Sequence, residues 1–410
     1  MENGPTLLLL CLRAEPAETK VARLRELTDN DWEDILKEAR SQGIAPILFH
    51  SLKPLQSALN IPEQILDVLR QNYLNSSARN MRLFQKLLQI LTIFNRENIP
   101  VILLKGAHLA KLVYESPALR PMSDIDLLAK EDDLLKIHHL LIENGFSTLK
   151  QDQGAILRHM APYKKNNFPA LEIHYNIAIL PNNKRIESAD LWERAQKLTP
   201  EGVNIMTLSP EDLLLHLCAH TSIQHGFDNG LTPYFDIRQT LEHYNEILNW
   251  EIIAGRAKEW GLERSVDLML LLTDKFIGLP LPEQISNTLK SDHELRDVLK
   301  TAEELIFKRG PGVTPSIARL FEKQGWRTKL RYFTQRAFPS EQVMTIGKNK
   351  TDVSRLKLFR LYYLHLQNLY KKYWKIFWLG LRRNPEALAA LENQKKRNEL
   401  RDWLTREVNS

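Results

Sequence analysis

At 410 residues, 43% hydrophobic and 26% charged, the chain has the composition of a globular protein of two or three domains with a substantial core, which excludes a largely disordered or fibrous chain. Two cysteines, Cys11 and Cys218, exclude a disulfide framework and a metal–thiolate cluster, so a reducing, cytoplasmic setting is expected. The net charge of +6 is uneven: residues 301–410 carry 23 Lys and Arg against 10 Asp and Glu, which leaves residues 1–300 at −7. The basic C-terminal quarter is therefore where a polyanion would be met.

No apolar run approaches the length of a membrane span, and the start of the chain lacks the basic and apolar pattern of a secretory signal. Residues 1–98 read as a helical region. Asp29-Asn30-Asp31 can cap a helix through Trp32, Ile35, Leu36 and Ala39 that stops near Gly43, and Ala45 to Leu52 is a second short helix. From Pro62 to Glu97, Ile65, Leu69, Tyr73, Leu83, Leu87, Leu88, Leu91 and Phe94 keep helical spacing. These residues serve packing, and no constellation for chemistry is visible among them.

The stretch Pro100 to Lys130 is different. Pro100 to Leu104 is an apolar, strand-like run that ends at Lys105-Gly106, and the amphipathic segment Ala107 to Tyr114 predicts a helix. A helix start directly after glycine offers free N–H groups and a positive dipole end to phosphate. After Ser116-Pro117 comes a second strand, Ser123-Asp124-Ile125-Asp126-Leu127-Leu128. Side chains alternate on a strand, so Asp124 and Asp126 share one face and Ile125 and Leu127 the other. Two such carboxylates repel and lose solvation unless a cation joins them, and a hard ion such as Mg²⁺ is held by carboxylates together with substrate phosphates. Singly, each sign has a bland reading: Asp-X-Asp is a common solvated strand end, and Gly106 could merely end a strand. The order strand, glycine, helix, acidic strand points to a metal-nucleotide site.

Further along, Glu131-Asp132-Asp133 opens a helix bearing Leu134, Ile137, Leu140 and Leu141, with Gly145 placed to end it. Phe146 to Leu149 and Tyr163 to Phe168 read as strands, and Asp152 and His159 suggest nothing specific. Ala170 to Ile177 alternates clearly, with Glu172, His174 and Asn176 on the polar side. Glu172 is a candidate third carboxylate; an exposed strand face is the alternative. His174 reads as a core or hydrogen-bonding residue rather than a ligand. Ser209-Pro210-Glu211-Asp212 is a helix start. His216 and His220, with His225 nearby, have a spacing that can bind zinc, but the glutamate of the metalloprotease pattern is missing. Packing between helices, in a position that could line the cleft, fits them better, and Asp236 shares that ambiguity. The final segments, Val353 to Arg383 and Pro385 to Val408, mix bases with aromatics: Lys371, Lys372, Lys375, Arg382 and Arg383 neighbour Tyr370, Tyr373, Trp374, Phe377 and Trp378. A solvated helix packed by its aromatic stripe is the plain reading, with contact to anionic membrane or RNA through residues 353–383 the alternative.

At Leu104-Lys105-Gly106, Arg120-Pro121-Met122-Ser123-Asp124-Ile125-Asp126-Leu127-Leu128 and Glu172-Ile173-His174 the chain resembles the uncharacterised nucleotidyltransferase family, a branch of the DNA polymerase β-like superfamily. Leu208 to His220 is similar to that family's helical half. The resemblance implies an α+β fold, a small mixed-sheet, polymerase β-like palm core flanked by helical regions. The expected divisions are 1–98, an N-terminal helical region; 99–200, the nucleotidyltransferase core; 201–345, a helical domain; and 346–410, a basic, aromatic-rich helical tail. It also implies Asp124 and Asp126 as ligands of two Mg²⁺ ions, Glu172 as the third carboxylate, and a nucleoside triphosphate, ATP foremost, as donor to an unknown hydroxyl acceptor, a small molecule or a protein. The superfamily's Gly-Ser or Gly-Gly is here Gly106-Ala107 preceded by Lys105, which leaves Lys105, Gly106, Arg120 and Ser123 to meet the triphosphate. A binding or scaffold protein of the same fold and an RNA-directed transferase are the competing expectations.

Overall fold

The computed structural model describes residues 4–148, 160–178, 186–199, 202–279, 281–282, 293–307, 359, 362–367, 370 and 385–406. The chain forms two compact units, one of residues 1–150, 157–307 and 404–410, the other of residues 151–156 and 308–403.

In the first unit, helices α1 (Gly4–Leu12), α2 (Ala17–Leu24), α3 (Asp29–Ser41), α4 (Ala45–Leu52) and α5 (Glu63–Arg96) precede the sheet. The start of α3 differs from expectation by one residue: Thr28 is the cap, accepting from Asp31 N while Asp31 Oδ2 accepts from Thr28 N. A hydroxyl with a carboxylate three residues on satisfies two end donors at once, so Asp31 supports the cap and is not itself the cap. The 34-residue α5 matches its apolar spacing and buries Leu83, Leu87, Ile90, Leu91 and Phe94.

The sheet has the order β3-β4-β5-β2-β1-β7-β6. Its strands are β1 (Ile102–Leu103), β2 (Asp124–Leu128), β3 (Ser147–Thr148), β4 (Tyr163–Lys164), β5 (Ala170–His174), β6 (Gln196–Leu198) and β7 (Ile205–Thr207). β2 runs parallel to β5 and antiparallel to β1, while β1 runs parallel to β7. Several strands are shorter than their apolar runs. β5 stops at His174, and just beyond it the Asn176 side chain accepts from Ala178 N and donates to Ile186 O. One face of the sheet is apolar: Leu103, Ile125, Leu127, Leu171 and Ile173 join the α5 residues and Ile137 and Leu141 of α7 (Leu134–Glu143) in one core. Gly145 follows the end of α7 with a φ of 79°, a left-handed conformation that favours glycine.

The helix expected over Ala107 to Tyr114 begins two residues early and changes kind. It is α-helical as α6 (Lys105–His108) and π-helical over Leu109–Val113. After α8 (Ser188–Arg194) and the last two strands come α9 (Pro210–Ala219), a second π segment (His220–Gln224), α10 (Thr232–His243), α11 (Trp250–Trp260), α12 (Glu263–Ile277) and α13 (His293–Phe307). Ser209 caps α9 as read from the sequence, accepting from Asp212 N. The buried Asp212 carboxylate is held by Arg194 and Arg256, each at 2.9 Å.

In the second unit, Pro385–Leu404 is helical up to the unit's end at Trp403, and Phe359, Tyr363 and Tyr370 are exposed. Asp152, His159, Lys371, Lys372, Lys375, Arg382 and Arg383 lie outside the described residues, as do residues 308–345 and most of the basic-aromatic segment 353–383. Among the described residues, no helix is long and apolar enough to cross a membrane.

Candidate functional site

The face of β2 and β5 opposite the core is acidic. Their parallel register sets Asp126 beside Glu172 and Leu128 beside His174, so alternation gathers Asp124, Asp126, Glu172 and His174 on one side. Asp126, Glu172 and His174 each offer an atom within 4.8 Å of the other two, and among the described residues no other His, Cys, Asp or Glu group converges in this way. His174 Nε2 lies 2.8 Å from Asp126 Oδ1 and 3.5 Å from Glu172 Oε2, so its N–H serves both carboxylates. Lys105 Nζ lies 3.1 Å from Asp126 Oδ2.

Lys105 reaches that position through its backbone. Leu104 N donates to Asp126 O, which pairs the end of β1 with the middle of β2. Lys105 then adopts a φ of 43°, a left-handed conformation that costs a non-glycine residue on the order of 1 kcal/mol and turns the chain from strand into helix above the acids. Gly106 follows for a different reason. A Cβ on it would approach Met122 Cγ to 3.2 Å, so any side chain at 106 would push the Met122 side chain aside by a few tenths of an ångström.

The electrostatics are strongly biased. Burial alone would raise the Asp126 carboxyl, but the Lys105 ammonium and the His174 hydrogen bond outweigh it and hold the group well below the usual carboxylate range. The His174 hydrogen bond likewise lowers Glu172 against the effect of burial. Asp124 is pushed up instead, by burial and then by repulsion from Asp126, with Lys105 opposing. Like charges about 4 Å apart cost about 4 kcal/mol in the outer layers of a protein, so three acids on one face require cations beside them. The hard carboxylate oxygens suit a divalent ion such as Mg²⁺, while the His174 N–H is turned to the carboxylates.

Around this centre, Ser123 Oγ donates to Asp124 Oδ1 at 3.2 Å. Arg120 Nε donates to Asp236 Oδ1 at 2.7 Å, Tyr114 OH donates to the same oxygen at 2.9 Å, and Arg120 Nη1 donates to Pro121 O. Asp236, ambiguous in sequence, is thus the anchor that ties α10 to the loop before β2. Asn80 of α5 was not singled out by any pattern. It is buried, its Nδ2 donates to Pro117 O and Arg120 O, and its Oδ1 accepts from Met122 N, so one side chain fixes the whole approach to β2. A buried amide in a helix otherwise spaced for packing was its only signal.

A family model described as uncharacterised nucleotidyltransferase matches residues 28–278, more than half of the chain. The chain belongs to that family. Membership assigns nucleotidyl transfer as its class of chemistry and an NTP with an acceptor as its substrates. No curated protein shows significant sequence similarity to it. Among solved structures, it is similar to the crystal structure of the lincosamide antibiotic adenylyltransferase LnuA with lincomycin bound, at 19% identity and a TM-score of 0.29, over 38% of this chain and 94% of that one. It is also similar to the solution structure of the antibiotic-resistance factor ANT(2'')-Ia, at 14% identity and a TM-score of 0.29, over 40% of this chain and 84% of that one.

Within this member of the family, the structure brings together most of the residues singled out in sequence. Asp126 and Glu172 are in register, Lys105 joins them, and Ser123 and Gly106 stand at the edge. Asp124 shares the face but lies outside the tight trio, whose third member is His174. Arg120 lies close to Gly106, with its Nε engaged by Asp236. His216, His220 and His225 form a ring cluster, with centroids 5.8 Å apart for the first pair and 4.4 Å for the second, and do not converge as metal ligands.

Proposed function

We propose that the chain transfers a nucleoside monophosphate from a nucleoside triphosphate, ATP foremost, to a hydroxyl on a small molecule or protein, releasing pyrophosphate. The observation that supports this best is the side-by-side register of Asp126 and Glu172 on one face of the sheet, which Lys105 also reaches. Asp124, Asp126 and Glu172 would hold two Mg²⁺ ions. Bound there, Mg²⁺ supplies Lewis-acid stabilisation of phosphoryl oxygens and lowers the pKa of the acceptor hydroxyl.

The chain's own residues supply position and charge. Lys105 is a point charge on a short, fixed turn, suited to the triphosphate once the carboxylates have other partners. His174 holds Asp126 and Glu172 in one orientation through a single N–H, as a hydrogen-bonding residue behind ligands does. Asp236, which also accepts from Tyr114, orients Arg120 with its Nη1 beside Gly106. In-line attack by the acceptor oxygen forms its bond to the α-phosphorus as the bond to the β-phosphate's bridging oxygen breaks.

The test is incubation of the protein with each α-labelled triphosphate and Mg²⁺, alone and with cell extract. Label is expected to pass to an acceptor with release of pyrophosphate, and chelation of divalent ions is expected to abolish transfer. Binding of triphosphate with no transfer under any of these conditions would establish a binding protein of this fold instead.

A further inference from the structure

The histidine cluster takes no part in the phosphoryl chemistry described so far, yet one member is built for a definite role. His220 opens the π segment that continues α9. Gln224, four residues on, donates its amide Nε2 to Ile177 O at 3.1 Å, and Ile177 lies three residues beyond the end of β5. A carbonyl oxygen can only accept, so that bond fixes the orientation of the Gln224 amide and leaves its Oε1 facing His220 Nδ1 at 2.9 Å. An amide oxygen also only accepts. The proton of the imidazole therefore sits on Nδ1.

The other nitrogen is set by the same bond. With Nδ1 carrying the proton, Nε2 of the neutral ring has its lone pair in the ring plane, ready to accept. The ring also stays neutral: burial, then the Lys105 ammonium, then His225 and His216, all disfavour a second proton and hold His220 well below the ordinary histidine value. Among the described residues no group hydrogen-bonds Nε2, and the residue is partly exposed. His216 stacks on one side of the ring and His225 meets it edge-on, which locks its plane. Gln224 is anchored to the chain leaving β5, and the Lys105 ammonium that contacts Asp126 is near enough to act on the ring through its charge, so His220 lies on the acidic side of the sheet.

We infer that His220 is the catalytic base of this site, accepting the proton of the acceptor hydroxyl at Nε2 while Gln224 and the Ile177 carbonyl hold the ring in its Nδ1–H tautomer. This rests on the proposed transferase activity. In that step the acceptor oxygen forms its bond to the α-phosphorus, pyrophosphate leaves with the electron pair of the broken P–O bond, and the hydroxyl proton passes to Nε2. The relay has the form of a base oriented by a third group, assembled here from an amide and a main-chain carbonyl instead of a carboxylate.

Two measurements test it. In His220→Ala, label transfer from α-labelled ATP with Mg²⁺ and cell extract should fall about a hundredfold or more. Its affinity for Mg-ATP should match the wild type, and added imidazole should restore part of the rate. On the full-length wild-type protein, nitrogen-15 correlation spectra should show His220 protonated at Nδ1 and bare at Nε2. A wild-type rate in His220→Ala, a loss that imidazole does not relieve, or a proton at Nε2 would each overturn the inference. A wild type that transfers from no triphosphate would overturn the transferase reading itself, and the inference with it.

Discussion

The two faces of β2 and β5 are made from the same two five-residue strands and have opposite characters. Ile125, Leu127, Leu171 and Ile173 point to the core and are essentially inaccessible, while the interleaved Asp124, Asp126, Glu172 and His174 point the other way. The apolar face is satisfied by area, and any well-shaped hydrophobic neighbours will serve it. The acidic face is satisfied only by specific cations at specific distances, here Lys105 and the N–H of His174. Adjacent residues of one strand should therefore fail in different ways. Leu127 should report on stability, and Asp126, its neighbour, on turnover.

The largest effect is expected from Asp126→Asn. The change keeps shape and removes the charge that Lys105, His174 and a metal ion would share, so label transfer should fall about a thousandfold or more, about 4 kcal/mol of barrier. The variant should stay folded with a somewhat lower thermal midpoint, since the stabilising contacts of the carboxylate with Lys105 and His174 are lost. Undiminished pyrophosphate release in this variant would break the contrast between the faces. Next comes Leu127→Ala, which leaves a cavity among α5, α7 and the sheet and should cost about 3 kcal/mol in denaturant unfolding. The protein that remains folded should keep its affinity for nucleotide. Equal losses of stability and affinity would mean that the two faces are not independent.

How much of this was legible in the sequence divides along the same line. Alternation in Ser123 to Leu128 and Ala170 to His174 fixes which side chains share a face, because a strand has a period of two wherever it lies. The pairing of these strands, 46 residues apart at Asp126 and Glu172, is not a property of either segment and shows only in the register of the folded sheet. Single-residue anchors were illegible. Asn80 works through three main-chain groups of a loop some 40 positions away, and Asp236 through Arg120 and Tyr114, so neither has a periodic or local signature. The two π segments were equally hidden: an extra residue in a helical turn rotates the face of the next turn without changing composition.

Lys105 joins the two halves of the contrast, since its backbone ends the strand and its charge answers the acids. Lys105→Met keeps the aliphatic stem and removes the ammonium, leaving His174 alone to oppose Asp126. The KM for triphosphate should rise about tenfold, about 1.4 kcal/mol, with a smaller change in kcat. The same variant carries a signature in stability. The native Asp126 carboxyl lies below its unfolded value, so the stability it confers is present above the unfolded value of about 3.9 and is lost only as pH falls toward the depressed native one. Without Lys105 the native value rises toward the unfolded one, this contribution shrinks, and acid unfolding should begin at higher pH than in the wild type. Acid unfolding that does not move would mean that the His174 N–H alone sets the charge of Asp126, and the 3.1 Å contact of Lys105 would then serve the nucleotide only.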